Sequence, residues 1–148
     1  MIEKIIYSYL YDEDAWNAYG KDLHTKNFAK AKPLLNEDFV KPFMQFHEFH
    51  DWTLESFRME YQSNELAVTF QLRDDLNAMY DLHIGQCSGC RVVGADIAKI
   101  QHSNQIQIIS FEKKAELCIG IALSNGTVIY VFCQIPIIFL KRITDIVN

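Results

Sequence analysis

Apolar and polar positions change their period along this chain, and each change marks a new kind of element. From Asp12 onward the spacing is helical. Asp12 is placed to cap a helix, Glu13 and Asp14 occupy a first turn that favours carboxylates, and Trp16, Tyr19 and Leu23 recur on one face over about three turns. The stretch Lys26 to Lys32 is basic and weakly patterned, and Pro33 closes it. Asn36 predicts a second cap, ahead of Glu37 and Asp38 and of an apolar stripe of Leu35, Phe39, Phe43 and Phe46 that reads as a face packed on a sheet. Pro42 has no amide to donate and disfavours helical geometry at Lys41, which predicts a kink or a restart there.

After Phe46 the period falls to two, as strands require. Trp52 and Leu54 share a face, and Phe57, Met59 and Tyr61 continue the alternation one residue out of phase, so a β-bulge is predicted near Glu55-Ser56. Gln62-Ser63-Asn64 is a turn, and Leu66, Val68, Phe70 and Leu72 form the clearest amphipathic strand, ended by Arg73-Asp74-Asp75. Tyr80, Leu82 and Ile84 give the inward face of the next strand, with Asp81 and His83 outward. Gln86 to Asn104, a stretch set among Gly85, Gly89 and Gly94, predicts a short Val92-Val93 run and a helical turn at Ala95 to Ile100.

Three strands follow, Ile106 to Glu112, Glu116 to Leu123 and Thr127 to Gln134, the last two joined by an Asn125-Gly126 hairpin turn. Pro136 then permits an edge segment, Ile137 to Arg142. The strands beside the hairpin are apolar on both faces, since Leu117, Ile119 and Ile121 alternate with Cys118 and Ala122, and cover on both faces is the simplest cause. The whole pattern predicts an α+β fold in which N-terminal helices (1–48) pack on a mainly antiparallel β-meander (49–148) of about six to seven strands.

Composition supports one domain, 1–148. A chain of 148 residues with 49% hydrophobic content and only three prolines is ordered and globular. Folding at that size buries roughly 70% of the unfolded surface, so no disulfide or metal is needed. The start of the chain lacks the basic region and long apolar run of a secretory signal, and the apolar window Cys118 to Leu140 is broken by Ser124-Asn125-Gly126, Gln134 and Pro136. A cytoplasmic protein without a membrane span is expected, with Cys87, Cys90, Cys118 and Cys133 as reduced thiols and the Asn125-Gly126-Thr127 sequon unused.

Charge sharpens the picture. The net −5 is lopsided, with fifteen acids against eight lysines and arginines in Met1 to Asp81 and four against six in Leu82 to Asn148. A surface carrying Asp12, Glu13, Asp14, Glu37, Asp38, Asp74 and Asp75 repels nucleic acid and attracts basic partners.

Candidate chemistry concentrates at Phe46-His47-Glu48-Phe49-His50-Asp51. His47 and His50, with Cys87 and Cys90, supply the ligand types of a tetrahedral zinc site, but the first pair ends a helix and the second falls in a predicted inter-strand loop, so a capping histidine and a small-residue turn are the favoured readings. His50 and Asp51 stand where a helix hands over to a strand, a place where such side chains bond exposed backbone amides; surface recognition is the other role open to them. Cys87-Ser88-Gly89-Cys90 has redox spacing without the strand-to-helix context that activates such a thiol. Nucleophile-elbow and phosphate-binding motifs are missing, and the acid pairs sit at helix starts and turns, so neither catalytic residues nor a cofactor are expected.

Phe49-His50-Asp51-Trp52-Thr53-Leu54, Leu66-Ala67-Val68-Thr69-Phe70, Tyr80-Asp81-Leu82-His83-Ile84 and the hairpin at Asn125-Gly126 together resemble an uncharacterised family of small bacterial proteins with N-terminal helices and a His-Asp junction leading into a β-meander. The resemblance covers about two thirds of the chain, Phe46 to Ile143, and implies a fold without a reaction. Small α+β domains of similar build occur among toxin-immunity proteins, by analogy of class alone. The leading expectation is therefore a non-catalytic protein-binding module of immunity or antitoxin type, which meets a basic toxin domain through Asp12, Glu13, Asp14, Glu37, Asp38, His50, Asp51, Asp74 and Asp75. The alternatives are a metal-dependent or thiol enzyme using His47, His50, Cys87 and Cys90, and a structural domain that forms a homodimer through the Ile137 to Arg142 edge.

Overall fold

The computed structural model describes residues 1–94 and 104–143. Helix α1 (Ile2–Tyr11) is followed by α2 (Glu13–Ala15), which runs through one wide turn, Trp16–Gly20, into α3 (Lys21–Ala31); α4 (Glu37–Gln45) completes the helical part. Six strands follow: β1 (Thr53–Gln62), β2 (Glu65–Arg73), β3 (Met79–Val93), β4 (Asn104–Lys113), β5 (Leu117–Leu123) and β6 (Val128–Ile143). They are antiparallel throughout, and their order β1-β2-β3-β6-β5-β4 closes into a barrel where β1 meets β4 at Thr53 with Gln105 and Leu54 with Asn104. The α+β class and the antiparallel sheet are as the hydrophobic pattern predicts, and closure is the addition. Among the described residues no helix is long and apolar enough to cross a membrane.

Several local features follow directly from residue chemistry. The register of β1 against β2 shifts between Leu54 and Ser56, the bulge that the change of phase demands. Asp12 accepts the Ala15 N–H on Oδ1 at 3.1 Å, capping α2, and Asp74 Oδ1 accepts the N–H groups of Leu76 and Ala78 at 2.9 Å each, which fixes the β2–β3 turn. Leu123 and Thr127 close the Asn125-Gly126 hairpin with a 2.8 Å backbone bond.

Other expectations are corrected. Residues 2–11 form a helix ahead of the two expected, and Ile2, Ile5, Ile6 and Tyr9 carry its spacing. The helix that begins at Asp12 continues to Ala31, through the weakly patterned basic stretch. No break occurs at Pro42: α4 passes through it without the bond that a donor there would make to Asp38 O, Pro42 O accepts from Phe46 N–H at 2.9 Å, and Phe39, Val40 and Phe43 are buried on either side of the proline. Cys87 and Cys90 lie within β3, in no inter-strand loop or turn, since Cys87 pairs with Cys133 and Cys90 with Val131. Pro136 does not separate an edge strand from β6. It sits opposite a register shift in β3, beyond the last β5 partner at Cys133, where a missing N–H breaks no ladder. The predicted turn at Ala95 to Ile100 falls outside the described residues.

The barrel interior is filled. Leu54, Val68, Phe70, Ile109, Phe111, Leu117, Leu123, Ile129 and Val131 are all 0–1% exposed, and α4 adds Phe39 and Phe43, which stack on each other at 5.1 Å and contact Phe49 and Phe111 at ring separations of 5.3–6.3 Å. Burying each of these rings stabilises the fold by about 1.5–3 kcal/mol, so the aromatic plug weighs heavily against a net stability of about 5–15 kcal/mol. On the outside, α1 lays Ile2 and Ile6 over Ile108, Cys118, Ala122, Val128 and Tyr130, which explains why β5 is buried at every position.

Gly120 makes that contact close: a Cβ there would lie 2.6 Å from Ile6 Cδ1 and 3.2 Å from Ile2 Cδ1. Gly120→Val therefore lowers unfolding free energy by about 1–3 kcal/mol in a denaturant titration. Gly89→Ala, whose Cβ meets nothing nearer than Phe132 Cδ2 at 3.9 Å, stays within about 0.5 kcal/mol of the parent. Equal losses at both sites would refute this packing of α1.

Candidate functional site

The segment 47–51 departs furthest from ordinary backbone geometry. His47, Glu48, Phe49 and Asp51 have φ of 52°, 58°, 59° and 68°, a left-handed turn built without glycine. Each such residue costs about 1 kcal/mol or more, so surrounding contacts must enforce the conformation. Phe49 supplies them from inside: it is fully buried, stacked on Trp52 at 4.5 Å and edge-on to Phe43 at 5.3 Å. Backbone bonds supply the rest, with Asp51 N–H to Ile106 O and Ile106 N–H to Trp52 O, both 2.8 Å, extending the β1–β4 junction. Inward anchoring of Phe49 leaves His47, Glu48, His50 and Asp51 exposed.

These side chains meet the helices. Glu48 Oε1 accepts a 2.9 Å hydrogen bond from His24 Nε2 of α3, and His24 Nδ1 lies 3.2 Å from Ser110 Oγ of β4. A carboxylate only accepts, so Nε2 carries a proton, and the second ring nitrogen pairs with the buried Ser110 hydroxyl. By the same logic His50 donates Nδ1–H to Asp51 Oδ2 at 3.2 Å, and its Nε2 hydrogen-bonds the Tyr9 hydroxyl at 3.1 Å. Burial, then the charges of Asp51 and Glu48, raise the Tyr9 pKa and keep the phenol protonated.

Between the two relays lies an open cleft of about 370 Å³, with Tyr9, Trp16, Lys21 and Gln107 completing its wall. Trp16 stands edge-on to Tyr9 at 4.9 Å and 5.9 Å from the His24 ring. It reaches that place through the wide turn, in which Lys21 N–H bonds Trp16 O, and through Gly20, whose missing Cβ lets Ser8 and Trp16 close around it.

Of the residues singled out from sequence, His47 and His50 line this cleft, and Asp51 is bonded to His50. His50 bonds both Asp51 and Tyr9, while the start of β1 is fixed by backbone bonds. Asp12, Glu13 and Asp14 start α2, Glu37 and Asp38 start α4, and Asp74 and Asp75 lie at the β2–β3 turn; all but Asp74 are exposed. Among the described residues no group of three or more His, Cys, Asp and Glu side chains is spaced to hold a metal ion, and Cys87 contacts Cys133 (Sγ to Sγ 3.8 Å) with no histidine beside it. Tyr9, Trp16, His24 and Ser110 entered no sequence-based site. The recurrence of Trp16, Gly20 and His24 at intervals of four was a legible signal for one shared face.

Thiol chemistry is set by the barrel wall. The hydrogen bond from Cys133 lowers the Cys87 pKa and raises that of Cys133, whereas burial pushes Cys90 up to about 11 and Cys118 up to about 12. No protein-family model and no curated protein compared with this chain matches it.

Two measurements check this geometry. His47→Gly removes a side chain with no buried contact from a left-handed position and raises stability by about 1 kcal/mol by denaturant unfolding; a loss would contradict the left-handed turn. A thiol-reagent titration of the native protein at pH 8 detects at most one fast thiol, Cys87, and all four after unfolding. Two fast thiols in the native protein would contradict the raised pKa of the other three.

Proposed function

We propose that this protein is a non-catalytic protein-binding module of immunity or antitoxin type, which neutralises a basic toxin domain through its acidic surface. One observation carries the reading: Glu13, Asp14, Glu37, Asp38 and Asp75 are exposed, and none of them forms an ion pair among the described residues. Unpaired carboxylates on a chain whose first 81 residues hold fifteen acids and eight lysines and arginines speed encounter with a basic partner and select for it. The filled barrel supports the same reading, because it leaves function to the exterior.

A second reading, a domain that dimerises, is supported by β6, where residues 137–143 pair with β3 alone and Ile135, Ile137 and Phe139 are exposed. Sedimentation of the purified protein separates the two, since a homodimer broken by Ile137→Lys would favour the second.

For the first reading, co-expression with a secreted toxin encoded by an adjacent gene restores growth. Reversing Glu37 and Asp38, or Asp74 and Asp75, to lysine slows association by about tenfold at low salt and by much less at high salt. No protection, or association indifferent to both reversals, would refute it.

A further inference from the structure

We propose that the cleft between the 47–51 turn and the Trp16–His24 face is a recognition pocket for one guanidinium, the head group of an arginine side chain presented by a protein partner. The inference rests on the protein-binding reading and gives that surface a specific anchor.

Size, chemistry and rigidity converge on this ligand. A volume of about 370 Å³ lies at the small end of ligand pockets and suits a single long side chain. Glu48 is 47% exposed and holds its carboxylate in a fixed place through the 2.9 Å bond from His24, while Asp51 lies behind His50. Within the turn Glu48 presents its carboxylate to the cleft and His50 is engaged by Asp51 and Tyr9, while the exposed His47 imidazole also lines it. Burial first, and then the charges of Asp51 and Glu48, raise the Tyr9 pKa, so both carboxylates act on this wall of the cleft. The edge-on pair Tyr9 and Trp16 adds aromatic surface over which a planar guanidinium stacks, and a guanidinium pairs with a carboxylate in the same plane. Finally, the strained turn that aims Glu48 and His50 is held by a buried phenylalanine, so the acceptors are fixed before the ligand arrives.

Lys21 is the opposing feature. It lines the cleft and is exposed, so its charge weakens binding of a cation and would strengthen binding of an anion. That sign makes it the discriminating residue.

The test is an NMR titration of the purified protein, following the Trp16 indole N–H, with N-acetylarginine amide, its neutral isostere N-acetylcitrulline amide, and inorganic phosphate as probes. The arginine probe is expected to saturate with Kd on the order of millimolar, the citrulline probe to leave the resonance unshifted, Glu48→Gln to weaken the arginine probe by about tenfold, and Lys21→Met to tighten it. Equal response to citrulline, preference for phosphate, weakening by Lys21→Met, or no saturable shift would overturn the pocket assignment. The titration contains no protein partner, so the two readings fail separately. Saturable arginine binding without toxin protection would overturn the partner while leaving a guanidinium site, and protection without arginine binding would overturn the anchor alone.

Discussion

Phe49 enters the barrel core with no exposed surface, between Phe39, Phe43 and Trp52, and the chain places it there by turning left-handed through His47, Glu48 and Phe49 itself. Strain of about 1 kcal/mol or more at each of these residues is offset by the burial of one large ring and by the pair of backbone bonds to Ile106. The polar neighbours of that ring are turned outward by the same geometry. His47, Glu48, His50 and Asp51 form one ridge because a single apolar residue between them is pulled in.

The helices complete what the ridge begins. Trp16 and His24 share a face of the α2–α3 unit, Tyr9 comes from α1, and Ser110 reaches His24 from β4, so three helical segments and one strand converge on the turn. Each contact also has a structural job: Gly20 lets α1 and the wide turn pack closely, and the Ser110 hydroxyl satisfies a partly buried imidazole. Barrel packing and surface chemistry are thus linked through the same residues. The acids of the first half divide in two, since Asp12 and Asp74 bond backbone amides while Glu13, Asp14, Glu37, Asp38 and Asp75 are exposed.

Much of the fold was legible in the sequence because period-two alternation survives wherever one face is core. The bulge after Leu54, the turn at Ser63-Asn64, the inward row Tyr80, Leu82, Ile84 and the Asn125-Gly126 hairpin all stand where side-chain alternation and turn chemistry put them. Barrel closure was not legible, since pairing of β1 with β4 rests on two residue pairs distant in sequence and leaves no local mark. Glycines and cysteines hid the length of β3, because Gly85, Gly89 and Cys90 carry little of the hydrophobic signal that identifies strands. Of the cleft, the His47 to Asp51 half was visible as a cluster of chemistry-bearing residues, whereas Tyr9, His24 and Ser110 become partners only through tertiary packing.

Backbone coupling constants and residual dipolar couplings at residues 47–49, with the Tyr9 to His50 side-chain proximity followed in parallel, test most directly whether the buried ring builds the surface. Positive φ at all three residues in the parent protein, together with loss of the Tyr9–His50 contact in Phe49→Ala, is the predicted result. Negative φ at these residues, or a Tyr9–His50 contact that persists once the ring is removed, would contradict the account.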